Sequence, residues 1–293
     1  MKKNLMILGN TLIVFLILFL IALYIRIEQK NNLSSQTEAF GNMTVAMENM
    51  TTNYLVGEQQ VCNSWANYIN SKAMTADEAI AFVRDSISTP DVMAHILFTD
   101  DQELTGLSTA AKSSGGDDYS VSYRNISAFS SGFYEFLGNS VNVTRAYTNP
   151  VNAIQSIAFC CPITLYQPHA DAPVSAVLLR LIPVSTFEAR WAFPTEEYRD
   201  AEIALIDSAG DYIIKGYSFK NTNFFEFCQS YNNHSPAAME ALRTSVTGDH
   251  GVIEINNSTG QKSLVAHTRV NSTNDWIILT MIARAELSHR TQV

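Results

Sequence analysis

The chain has 293 residues, 46% of them hydrophobic and 16% charged, enough apolar material for packed cores and against the composition of a disordered chain. Four of the 19 Lys and Arg but only one of the 28 Asp and Glu fall in the first thirty residues, leaving 15 cations against 27 anions beyond them. Such an acidic surface repels phosphate backbones and anionic lipid, which argues against nucleic acid and against peripheral membrane attachment.

The first element is a run of apolar residues, LMILGNTLIVFLILFLIALYI at 5–25, interrupted only by Asn10 and Thr11. About 20 residues at ~1.5 Å rise match a ~30 Å hydrocarbon core. The exit LYIRIEQK lacks a small-residue cleavage pattern and puts Tyr24 and Arg26 at the boundary, as in a retained transmembrane helix rather than a signal peptide. Lys2 and Lys3 favour a cytoplasmic N-terminus at 1–4, a span at 5–27 and an extracytoplasmic soluble domain on a single-pass cell-membrane protein.

Apolar residues then recur at Phe40, Met43, Met47, Met50, Tyr54, Val61, Trp65 and Tyr68, the three-and-four spacing of a helix, so 28–72 is expected to be a long stalk helix. It has the length to run along two stacked units, or to pair with its twin in a homodimer.

Beyond it one pattern occurs twice. The first copy has a helix at 76–87, a strand at 94–98, a turn at Asp100 and Asp101, and a return strand through Leu104, Gly106 and Leu107. The second has a helix around 186–199, a strand at 201–206, a turn at 207–210 and a return at 212–216. Each hairpin leads to an aromatic-rich helix, ISAFSSGFYEFLG at 126–138 and NTNFFEFCQSYN at 221–232. Three strand-like runs follow each, at 141–147, 155–165 and 174–184, then at 251–255, 262–270 and 276–283. The expected class is α+β: a transmembrane helix, a stalk helix and two tandem PAS-like units with antiparallel sheets. The units are a membrane-distal one at 73–185 and a membrane-proximal one at 186–285. Residues 286–293 would begin an outgoing helix, which suggests the N-terminal part of a longer protein.

Enzyme chemistry is not indicated. The sequence has no GxxxxGK[ST], GxSxG or HExxH. Its six histidines and four cysteines (Cys62, Cys160, Cys161, Cys228) lack metal-ligand spacing, so no catalytic residue, metal or cofactor is assigned. Strand parity offers a binding site instead. On 141–147, Arg145 and Tyr147 share a face with Val141 and Val143, and Arg180 lies among apolar residues on the third strand of the same unit. An arginine in a partly dry pocket binds carboxylate through its planar fork, and aromatic rings cover the rest of a small ligand. Arg145, Tyr147, Tyr123 and Arg180 are therefore the candidate ligand residues, with a carboxylate-bearing small molecule as one ligand class. The stretch SSGGDDYSVSY at 113–123 is either a lid over that site or an exposed loop.

The layout resembles the double Cache sensor regions of bacterial transmembrane receptors. The segments NSWANYINSKAMT, DDYSVSYRNI, VTRAYTNP and DAEIALIDSAGDYIIKGYSFKNTNFFEF look most like the extracytoplasmic part of hybrid sensor histidine kinases. The resemblance implies the input region of a two-component receptor that binds a small molecule in its distal unit, relays by helix displacement, and leaves kinase activity to a C-terminal region outside this chain. Amino-acid-binding members carry Arg-x-Trp-Tyr in the distal unit, of which Arg145–Ala146–Tyr147 keeps only Arg-x-aromatic. Other readings are the sensor of a diguanylate cyclase or chemoreceptor, or a non-sensing anchored surface protein of pilin type. The anchor lacks the pilin Gly-Phe site and the Glu beyond it.

Overall fold

The computed structural model describes residues 2–99, 104–110, 120–123, 141–167, 172–191, 198–273 and 275–289, with side chains from 16 to 287. Helix α1 (Lys2–Lys72) is a single helix of 71 residues, about 105 Å long. Among the described residues no helix is long and apolar enough to cross a membrane. Much of the expected span at 5–27 lies outside the residues whose side chains are described.

Two antiparallel sheets lie along the second half of α1. The first contains β1 (Met93–Phe98), β2 (Thr105–Ser108), β3 (Ser120–Ser122), β4 (Tyr147–Thr148), β5 (Gln155–Leu165) and β6 (Val174–Pro183), in the order β3-β2-β1-β6-β5-β4. The second contains β7 (Glu202–Ile206), β8 (Tyr212–Ile214), β9 (His250–Asn256), β10 (Lys262–Arg269) and β11 (Ile277–Ala283), in the order β8-β7-β11-β10-β9. With β3 set aside the two paths are identical: an opening hairpin, then the last strand returning to pair with the first. The repeat read in the sequence is thus a repeat of topology.

Three short helices begin where side chains satisfy their first amides. Thr75 and Glu78 form a reciprocal capping box at α2 (Ala76–Ser86). A short α3 (Val184–Glu188) leaves β6 toward the second sheet. Asn223 caps α4 (Phe224–Asn232), and Ser235 with Pro236 starts α5 (Pro236–Val246), a helix the sequence reading did not separate. Helix α6 (Arg284–His289) follows β11. Gly210 closes the β7–β8 turn at φ +92°, where a side chain would also strike Phe225. The expected helix around 186–199 ends at Glu188, and its residues 192–197, the expected turn at Asp100–Asp101, the aromatic helix at 126–138 and most of the 113–123 stretch lie outside the described residues.

The face of α1 that packs differs from the stripe read in the sequence. Phe40, Met43, Met47 and Trp65 are buried as expected, but Met50, Val61 and Tyr68 are exposed. The true buried line runs through Thr44, Met47, Thr51, Leu55, Cys62, Ala66 and Ile69, with Glu48 and Gln59 beside it. Polar members of this line find partners on the sheets, so hydropathy alone does not reveal it. Phe40 and Met43 pack with Leu264, Ala266 and Ile282 of the second sheet. Leu55 to Ile69 join a core with the first sheet that extends through Phe187 and Trp191 to Leu205, Trp276 and Ile278.

Candidate functional site

The sheet faces turned away from α1 differ between the two units. In the second unit that face is covered by α4 and α5, and Phe219, Phe224, Phe225 and Phe227 fill it. In the first unit the same face carries Leu97, Val121, Ala158, Cys160, Val177, Leu179 and Leu181, together with three polar aromatic residues, His95, Tyr123 and Tyr147. His95 pairs with Leu179 on β6, and Ala204 pairs with Leu279 on β11. The central strands read LLRLI and ILTMI, so these registers superimpose and Ala204 stands where His95 stands in the first unit. The polar cluster is therefore specific to the first unit.

The three residues form a hydrogen-bonded chain. His95 Nδ1 lies 2.6 Å from the Tyr123 hydroxyl, which lies 3.1 Å from the Tyr147 hydroxyl, and the two tyrosine rings meet edge to face. His95 and Tyr123 are fully buried and Tyr147 nearly so. Burial lowers the His95 pKa to about 3, so the imidazole is neutral at physiological pH. Burial also raises both tyrosine hydroxyls well above their ordinary range. His95 Nε2 is buried with no hydrogen-bond partner among the described residues. In either neutral tautomer that nitrogen keeps one unused position, a donor or an acceptor, and an unused position in a dry site is costly. A small polar ligand is one way to fill it.

The four residues singled out from the sequence do not converge. Tyr123 and Tyr147 meet; Arg180 and Arg145 lie elsewhere. Arg180 is on the opposite face of the sheet, where Nε and Nη2 donate to Glu58 Oε2 of α1 at 2.9 and 2.7 Å and the guanidinium lies 4.9 Å from the centre of the Trp65 ring. Arg145 is half exposed and pairs with the buried carboxylate of Asp207 in the β7–β8 turn, linking the two units.

Parity misplaced Arg145 for a definable reason. The expected strand at 141–147 is an isolated bridge, Val143 to Phe159, followed by β4, in which Tyr147 pairs with Ser156. Four steps on one side face three on the other, so one extra residue is inserted. Thr144 makes the insertion by donating its amide to the Ala158 carbonyl and accepting the Ala158 amide on its own Oγ1. Such a bulge reverses the side-chain alternation, so Val143 faces α1 while Tyr147 faces the other way. His95 was missed because a lone histidine in an apolar strand reads as core. The usable signal was alternation, since Met93, His95 and Leu97 share one face of β1.

No protein-family model matches the chain, and no curated protein matches it significantly. Solved structures do. The ligand-binding domain of the amino acid chemoreceptor PctB of Pseudomonas aeruginosa PAO1, solved with L-Gln, is 12% identical over 84% of this chain and 90% of that one, with a TM-score of 0.56. The chain shares the fold of ligand-binding sensory domains. The ligand-binding domain of the Pseudomonas fluorescens chemoreceptor CtaA, solved with L-isoleucine, gives 11% identity, 90% and 98% coverage and a TM-score of 0.60. The extracellular domain of soHK1S-Z6, assigned as a histidine kinase, gives 13%, 90% and 99%, and 0.60. The two curled antiparallel sheets on a long helix are the double Cache layout that the sequence resembled.

Proposed function

We propose that this chain is the ligand-sensing input region of a transmembrane signalling receptor, and that its ligand contacts His95, Tyr123 and Tyr147 on the face of the first sheet turned away from α1. The reading rests on one observation: a buried polar chain ending in an Nε2 with no partner among the described residues, at a position the second unit fills with Ala204. The sensory domains that share the fold support it, and those solved with L-Gln and L-isoleucine make amino acids the first ligand class to test. In this reading 73–185 is the membrane-distal sensing unit, 186–285 the membrane-proximal unit, and the output is a histidine kinase. A chemoreceptor output is the second reading, favoured by the chemoreceptors among the structural neighbours.

Membrane anchoring by 5–27 is part of the proposal. It is supported by Leu16, Phe19, Leu20, Leu23 and Ile27, large apolar side chains about half exposed around α1. Homodimerisation through α1 is proposed from the exposed line of Met50, Gly57, Val61, Ser64 and Tyr68, spaced by seven, four, three and four. Arg145 is proposed as a relay rather than a ligand contact, because it stands two residues from Tyr147 and grips the second unit through Asp207.

The test is a thermal-shift screen of the full chain in detergent against the amino acids and small carboxylates. One class is expected to raise the melting temperature, and His95→Gln and Tyr147→Phe each to weaken that ligand about tenfold, one hydrogen bond in a dry site. Stabilisation by no compound, or by one indifferent to both substitutions, would sink the assignment.

A further inference from the structure

A second polar recess lies far from the His95 cluster, where α1 crosses the second sheet. It is a cleft of about 220 Å³, lined by Glu48 and Asn49 of α1 and by Asp249, His250, Thr268 and Asn271 at the ends of β9 and β10. That volume suits a molecule smaller than an ordinary drug-sized ligand.

The lining is rich in acceptors. Glu48 is only 2% exposed, yet no cation pairs with it among the described residues. Its Oε1 accepts from Thr52 Oγ1 at 2.7 Å and from the Asn271 amide at 3.0 Å, while Oε2 has no protein hydrogen bond among the described residues. Asp249 adds a second carboxylate. Thr268 is 6% exposed and its buried Oγ1 has no partner among the described residues. On β10 the even positions 264, 266 and 268 face α1, so this hydroxyl is directed to the same side as Glu48. Arg269 also borders the cleft, and its charge opposes the burial-driven rise of the Asp275 carboxyl, which places it near that acid.

A nearly buried carboxylate without a cation and a buried hydroxyl, neither fully satisfied among the described residues, leave acceptors that a donor-rich ligand would complete. Among the described residues no group of three or more His, Cys, Asp or Glu is arranged to hold a metal ion. A primary ammonium group suits the site better, because its three donors match a carboxylate oxygen, a hydroxyl and a carboxamide oxygen. We infer that this cleft is a second ligand site, specific for a small primary ammonium compound, and that its occupant ties α1 to the second sheet. The site is independent of the His95 cluster.

The probe is propylammonium chloride, titrated into the full chain in detergent at neutral pH and constant ionic strength, with amide chemical shifts of Thr268 and Asn271 as the readout. Saturable shifts are expected. Glu48→Gln keeps the Oε1 acceptor for Asn271 and should weaken binding at least tenfold; Thr268→Val should weaken it severalfold. Tetramethylammonium, which has the charge but no donors, should not bind measurably. The inference is overturned if propylammonium gives no saturable shift, if tetramethylammonium binds equally well, or if Thr268→Val binds like the parent. The last comparison decides even where Glu48→Gln does not fold.

Discussion

His95 is the residue whose chemistry is most sharply set by its surroundings. A buried neutral histidine makes stability depend on pH in a definite direction. The unfolded chain takes up a proton below about 6.5, whereas the folded chain resists it until about 3, so acid favours the unfolded state between those values. The stabilising contribution is full above pH 6.5 and is lost as pH falls toward 3. At about 1.4 kcal/mol per pH unit, going from pH 7 to pH 5 costs about 2 kcal/mol for this residue. His267, buried on β10 and held at about 4 by burial and then by the nearby His250, adds a similar loss. Denaturant melts at the two pH values should show both contributions, and His95→Gln should remove about half of the total. An unchanged slope in that variant would mean that His95 is already charged in the folded protein.

Among the elements, α1 is tied to a central strand of each sheet by a side-chain pair at an equivalent position. Arg180 of β6 bonds Glu58, and Thr280 of β11 shares a short hydroxyl contact with Thr44; the superimposed strands align Arg180 with Thr280. The partners are 14 residues apart on α1, about 21 Å, so the helix presents matching ties to the two units. The Arg180–Glu58 pair is largely buried, with side chains 10% and 15% exposed. Arg180→Ala should therefore cost roughly 3–5 kcal/mol by stranding Glu58, while Arg180→Met with Glu58→Leu should cost far less. Chemical denaturation of both variants checks this, and equal losses would show that the pair contributes through packing alone.

These ties also explain what the sequence could and could not convey about the elements. The hairpins, the long β5 and β6, and the second-sheet strands were legible because their apolar runs end in turn residues. The packing face of α1 was not, because Thr44, Glu48, Thr51 and Gln59 are buried by partners that include strands a hundred or more residues away. The 141–147 segment misled because a single bulge at Thr144 reverses every side chain after it. Of the candidate site, the two tyrosines were legible as aromatic neighbours of a presumed pocket. Their convergence on His95 depends on the pairing of β1, β2 and β3, which no local pattern encodes.

At the scale of the whole molecule, the question is how a ligand on one sheet is felt by the other. Among the described residues three connections join the units: α1, the core that runs through Phe187 and Trp191 to Trp276, and the Arg145–Asp207 pair. The first two are continuous apolar packing and resist small displacements. The third is different. Asp207 is held rigidly in its turn, exchanging hydrogen bonds with Asp211, while Arg145 follows the bulge that sets Tyr147. In the proposed reading, a ligand that draws on Tyr147 would shift the segment carrying Arg145 and so bias the β7–β8 turn, a coupling that works by population shift. Saturating ligand should then slow amide hydrogen exchange in residues 207–214 as well as in the first sheet. Arg145→Met should leave ligand affinity within a few-fold of the parent and remove the slowing in 207–214. Slowing that persists in the variant would place the coupling in α1 or the shared core instead.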